Sequence, residues 1–66
     1  MSNQQLEQPF AEERRREIFL ALVEAQDKKV SVRQSRRDVA KRFGLTDEQV
    51  VAIEEEGMDN EWPPLS

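Results

Sequence analysis

The segment at residues 35–57, "SRRDVAKRFGLTDEQVVAIEEEG", decides the fold, because its spacing is typical of two helices joined by a tight turn. Ala40 supplies a small residue where the two helices approach each other. Gly44 follows four residues later, where a helix end commonly needs the positive φ that glycine adopts without a steric penalty. The apolar residues expected to fill the space between the helices are Leu45, Val50 and Ile53, and Phe43 is expected to face inward from the first helix. This pattern predicts a helix-turn-helix unit.

Capping residues set the ends of these two helices. Ser35 is expected to cap the first helix, with Asp38 returning a hydrogen bond in a capping box. Thr46 is expected to cap the second helix, with Gln49 in the same reciprocal role. Gly57 is interpreted as the stop signal of the second helix. The predicted helices span about residues 36–43 and 47–56.

A longer amphipathic helix is predicted over about residues 10–26. Pro9 suits its first turn, where a missing N–H costs nothing. Phe10 and Ala25 lie near its ends. Its apolar residues recur at the spacing of one buried face: Ile18, Phe19, Leu22 and Val23. The preceding residues 1–8 are polar and are expected to form a disordered arm.

Two segments lie outside the predicted helices. Residues 27–34 break the helical period and are expected to form a loop that buries one or two of Val30 and Val32, with a short strand as the alternative. The tail at residues 58–66 cannot stay helical through two consecutive prolines. Because it carries Met58, Trp62 and Leu65, we expect it to fold back, with Trp62 covering the core.

These elements define one small domain over residues 9–66. A chain of 66 residues buries only about 60% of the surface that its unfolded form exposes, so a substrate pocket in addition to a core is not expected. The predicted fold class is all-α: a three-helix bundle with a helix-turn-helix core, a disordered N-terminal arm and an irregular C-terminal tail that packs back.

Composition argues against an enzyme, a metal site and a cofactor. The chain contains no cysteine and no histidine, which removes disulfides, thiolate or imidazole ligands and nucleophile–histidine pairs. The consecutive carboxylates Glu54, Glu55 and Glu56 point about 100° apart on a helix, so they do not converge on one site. No apolar run approaches the length of a membrane span, and the polar N-terminus does not resemble a signal peptide. A cytoplasmic protein without a small-molecule substrate is expected.

Charge is divided sharply along the chain, whose net charge is −4. All ten basic residues precede Gly44, and residues 1–44 carry a net charge of +3. Residues 45–66 hold seven acidic residues and no basic one, for a net charge of −7. Such a dipolar distribution suits the steering of a charged partner or of a second copy of the chain.

The helix-turn-helix segment, extended to Met58, resembles the C-terminal, promoter-reading domain of bacterial sigma factors and related small transcription-regulator domains. The resemblance covers about a third of the chain. Matching positions are Val39, Ala40, Phe43, Gly44, Leu45, Thr46, Val50, Ile53, Glu54 and Glu56. It implies a trihelical core whose last helix enters the major groove of DNA, and a function in DNA binding or transcription regulation.

Double-stranded DNA is therefore the first partner hypothesis. In a helix-turn-helix, the first helix crosses the phosphate backbone and the second reads base edges through its N-terminal residues. The candidate phosphate contacts are Arg33, Arg36, Arg37, Lys41 and Arg42. The candidate base contacts are Thr46, Gln49 and Ala52.

A protein–protein interaction module of the same fold is the alternative, because the helix that would read DNA is acidic. Asp47, Glu48 and Glu55 are expected on its outer side, where carboxylates repel phosphates. A protein partner, or a second copy in a homodimer, would bind this third helix and the tail, with Glu48, Val51 and Glu55 as candidate contacts. The arginines at residues 14–16 are expected to pair across helices with the glutamates at residues 54–56.

Overall fold

Three α-helices form the fold of residues 11–65, which are the residues that the computed structural model describes. Each helix contacts both of the others, and these residues contain no strand. The predicted all-α three-helix bundle is thus confirmed, while the predicted arm and the start of the first helix at Phe10 lie outside the described residues. The helices are α1 (Glu12–Gln26), α2 (Val32–Phe43) and α3 (Asp47–Asp59).

The core lies where the three helices meet and is closed by one residue of the tail. Val23, Phe43 and Leu45 pack against it and are partly buried. None of the three helices combines the length and the apolar character that crossing a membrane requires. The buried apolar residues of the core are Ile18, Phe19, Ala21, Leu22, Val39, Ala40, Val50, Ile53 and Trp62.

The turn between α2 and α3 has the predicted chemistry. Gly44 ends α2 with φ of 71°, in the left-handed region, and the amide of Leu45 donates to the carbonyl of Ala40 at 2.7 Å. The Thr46 hydroxyl accepts from the Gln49 amide at 3.1 Å, and the Gln49 side-chain oxygen accepts from the Thr46 amide at 3.0 Å. The capping box fixes the start of α3 as the sequence predicts.

The prediction for the start of α2 is wrong by one helical turn. Ser31, not Ser35, is the N-cap, and its hydroxyl accepts from the Gln34 amide at 3.0 Å. Ser35 is fully buried within α2, where its hydroxyl donates to the carbonyl of Val32 at 2.7 Å. Asp38 accepts instead from the Gln34 side chain at 2.8 Å. A capping serine was available four residues earlier, so the helix gains a turn.

The loop before α2 is accordingly shorter than the predicted residues 27–34. Val30 and Val32 are 38% and 48% exposed, so the expectation that one or two valines are buried here is wrong. Val32 already belongs to the first turn of α2. The longer helix brings Arg33 onto α2, with consequences for the basic surface described below.

Gly57 does not end α3, contrary to the prediction. The helix continues to Asp59, and Gly57 lies buried against α1. A Cβ placed at Gly57 would lie 2.3 Å from Cδ1 of Phe19, far inside van der Waals contact. Glycine is therefore required here because α1 and α3 approach closely.

Trp62 attaches the tail to the core, as expected. It is only 3% exposed, and its ring packs edge-on against Phe19 with 6.0 Å between the centroids. Its amide donates to the carbonyl of Gly57 at 2.9 Å. Met58 and Leu65 do not share this burial, being 58% and 50% exposed. Among the described residues of the tail, Trp62 is the one that is buried in the core.

Candidate nucleic-acid interface

Three basic residues form a line along the outer face of α2. Arg33, Arg37 and Lys41 are spaced four residues apart, which places them on one side of a helix. All three are exposed, whereas Val39 and Ala40 of the same helix face the core. Within residues 11–65, none of the three forms an ion pair. We call Arg33, Arg37 and Lys41 the cationic stripe.

The other two predicted phosphate contacts of α2 have partners within the protein. The Nε of Arg36 donates to Oε1 of Glu54 at 2.9 Å, which links α2 to α3. The Arg42 guanidinium lies 5.2 Å from the ring centroid of Phe43. The five candidates thus divide into three that face solvent without an ion-pair partner in the described part of the chain and two that also contact protein groups.

The exposed lysines of the preceding turn were not among the predicted contacts. Lys28 and Lys29 follow α1, and neither forms an ion pair with any residue that the structure describes. They add positive charge near the N-terminal end of α2. The sequence does show them, as two consecutive lysines shortly before the helix that carries Arg33.

The arginines of α1 are engaged with glutamates. Arg15 forms two hydrogen bonds to Glu56 of α3, from Nε to Oε1 at 2.8 Å and from Nη2 to Oε2 at 2.7 Å. These hydrogen bonds raise the pKa of Arg15 above its ordinary value, against the lowering effect of burial. The pairing expected between helices 1 and 3 is therefore present for Arg15. Within α1, Arg14 pairs with Glu17 and Arg16 with Glu12.

The predicted base contacts lie at the start and in the middle of α3. Thr46 is exposed, but its hydroxyl accepts a hydrogen bond in the capping box. Gln49 is half-buried, and its side-chain oxygen is bound to the Thr46 amide. Ala52 is half-buried on the same helix. A bidentate contact to adenine uses both amide groups of a glutamine, so the Gln49 oxygen would have to share or leave the capping box.

The outer face of α3 is acidic. Glu48 and Glu55 are exposed there, and Val51 is half-buried, so the three candidate contacts of the protein-binding alternative lie on the accessible side. Glu54 and Glu56 are instead paired with Arg36 and Arg15. Two of the acidic residues that follow Gly44 are thus neutralised by arginines of the other two helices.

Residues 11–65 contain no group of three or more carboxylate, cysteine or histidine side chains placed to hold a metal ion. Comparison with models of protein families, with curated proteins and with solved structures finds no match to this chain. The resemblance to sigma-factor domains therefore stays a prediction from the sequence.

Proposed function

We propose that this chain is a helix-turn-helix domain of transcription regulation that binds duplex DNA, with α2 lying against the phosphate backbone. The observation that carries the proposal is the cationic stripe. Its three residues are exposed and lack ion-pair partners among the described residues, on the helix that crosses the backbone in helix-turn-helix complexes.

Binding of DNA phosphates by this surface releases counterions from the DNA, so the affinity should depend measurably on the salt concentration. Each phosphate neutralised by a lysine or arginine contributes about −0.9 to the slope of log K against log salt. Contacts from the three residues of the stripe therefore correspond to a slope of about −3, which is small for a DNA-binding protein. A single copy is therefore expected to bind modestly, and its affinity falls with salt less steeply than that of a protein that neutralises about six to ten phosphates.

The test is a fluorescence-anisotropy titration of a labelled duplex with the full chain, beginning at about 50 mM salt, where phosphate contacts are strong. Arg37→Ala is expected to weaken binding to all sequences alike and to reduce the salt slope by about one. Arg16→Ala is the matched control, because it removes the same charge from α1, where Arg16 pairs with Glu12. Circular dichroism checks that both variants keep their helices.

Two results would contradict the proposal. One is the absence of duplex binding at about 50 mM salt. The other is an equal loss in the Arg16 and Arg37 variants, which would show that overall charge, and not the stripe, governs the affinity.

The acidic face of α3 supports a second candidate, the binding of a basic protein segment. Glu48 and Glu55 flank the partly exposed Val51 there. Under the DNA proposal these carboxylates oppose the phosphates, so the Glu48→Gln, Glu55→Gln double variant should bind DNA more tightly. Under the second candidate the same variant loses its partner, and its affinity for DNA does not change.

A further inference from the structure

An apolar cavity opens between α1, the end of α3 and the tail. Its volume is about 140 Å³, and Phe19, Leu22 and Val23 of α1 line one side of it. Met58 of α3 and Leu65 of the tail line the other side. We call this cavity the tail groove. An apolar cavity of about 150 Å³ accepts a benzene-sized group, so the tail groove has room for one large apolar side chain.

Two exposed apolar side chains border the tail groove. Met58 is 58% exposed and Leu65 is 50% exposed, although Trp62, which lies between them in sequence, is buried. Trp62 therefore secures the tail while its apolar neighbours remain in contact with water. Among the described residues the other exposed large apolar side chains, Leu20, Val30 and Val32, do not line this groove. Met58 and Leu65 thus form a small exposed apolar patch around one depression.

The charge around the tail groove indicates the character of its occupant. Residues 54–65, which include the wall opposite α1, contain no basic residue, and two of their five carboxylates, Glu54 and Glu56, are paired with arginines. The exposed carboxylates of Glu55, Asp59 and Glu61 form no ion pair within residues 11–65. Among the described residues, Glu54 is the charged side chain that lines the groove itself. Two copies joined symmetrically through this groove would bring their acidic segments together, and like charges across an interface are unfavourable. A basic partner gains from the same field.

We propose that the tail groove binds a segment of a partner protein in which one large apolar residue is flanked by lysine or arginine. The apolar side chain enters the cavity between Leu22 and Met58, and the flanking cations lie in the negative field of the end of α3 and the tail. No member of the cationic stripe lines this groove. The proposed partner and duplex DNA therefore occupy different surfaces.

The test uses three short labelled peptides and the full chain. The first is an amphipathic helix of leucine and lysine, the second replaces every lysine with glutamate, and the third replaces every leucine with serine. We expect binding by the leucine–lysine peptide alone, with an affinity that falls as salt rises. Binding should shift the NMR signal of the Met58 methyl group and the emission of Trp62, the only tryptophan of the chain, which contacts Phe19 of the groove wall.

Surface variants locate the site. The Met58→Ser, Leu65→Ser double variant is expected to bind the leucine–lysine peptide about tenfold more weakly, because it removes two apolar contacts. Leu20→Ser is the matched control, since Leu20 is 41% exposed on α1 but does not line the tail groove. All of these side chains are exposed, so the variants should fold, and circular dichroism verifies this.

Each contrary result would overturn the proposal. Failure of the leucine–lysine peptide to bind, equal binding of the glutamate peptide, or an equal loss in the Leu20 variant would each exclude a basic, apolar occupant of this groove. Sedimentation of the free chain measures whether it forms a dimer. A dimer that disappears in the Met58, Leu65 double variant would make a second copy the occupant instead.

Discussion

The arginines of α1 and α2 differ in their partners, and the two helices differ in charge: α1 carries four acidic and three basic residues, whereas α2 carries one acidic and five basic residues. In α1, Arg15 is joined to Glu56 across helices, and its two neighbouring arginines pair within the helix. In α2, Arg33 and Arg37 extend into solvent, and neither pairs with another described residue. The difference shows that the number of cations in a sequence does not measure the number available to a partner.

Packing and composition together cause the difference. Gly57 lets α3 approach α1 closely, and this approach brings Glu56 to Arg15. On the outer face of α2, opposite its buried side, Arg33, Arg37 and Lys41 form no ion pair with a carboxylate of residues 11–65. α1 also has four glutamates of its own beside its arginines, whereas in α2 it is Arg36 that reaches a glutamate of the acidic helix.

The largest effect is expected from breaking the contact between α1 and α3. Gly57→Ala places a Cβ 2.3 Å from the buried Phe19 ring, so the helices must move apart. Overpacking of this kind outweighs the gain in helix propensity, and we expect a loss of about 2 kcal/mol in the free energy of unfolding, measured by urea denaturation. Gly44→Ala is a useful comparison, because a Cβ there meets open space and only the positive φ is strained. A Gly57 variant as stable as the wild type would refute the packing explanation.

A smaller effect should distinguish the arginines of the two helices directly. Arg15→Ala leaves the partly buried Glu56 without its two hydrogen bonds, and we expect the free energy of unfolding to fall by about 1–2 kcal/mol. Arg37→Ala removes an exposed side chain without an ion pair among the described residues and should change stability by less than about 0.5 kcal/mol. Thermal and chemical unfolding of both variants measures the contrast. An equal loss of unfolding free energy in the two variants would mean that Arg15 and Arg37 contribute equally to stability.

The smallest effect concerns Arg36, which lies on α2 but is paired as the arginines of α1 are. Its side chain is 35% exposed and that of Glu54 is 13% exposed, so solvent screens the pair in part. A double-mutant cycle of Arg36→Ala and Glu54→Gln should give a coupling energy of about 0.5 kcal/mol. A coupling of zero would return Arg36 to the group of available cations and add a fourth residue to the cationic stripe.

Local chemistry made part of the fold predictable. Gly44 and the capping pair of Thr46 and Gln49 depend on residues within one turn, and the structure contains both features. The start of α2 was also readable in principle, because Ser31 is followed three residues later by Gln34, a capping-box spacing that competes with the one at Ser35.

Other features depend on contacts distant in sequence. Gly44 and Gly57 read alike as helix ends, and only the position of Phe19 shows that the second is required by close packing. The spacing of the arginines likewise could not show that Arg36 would face Glu54 while Arg37 faced solvent. The ion pairs that join two helices, Arg15 with Glu56 and Arg36 with Glu54, form only when the three helices assemble.

Trp62 has a consequence for proteolysis of this chain. A cut between Asp59 and Trp62 would leave all three helices intact but remove a residue that closes their core, because α3 ends at Asp59. The fragment would expose the edge of Phe19 that Trp62 covers. A protease that trims the exposed tail would therefore destabilise the bundle without cutting a helix.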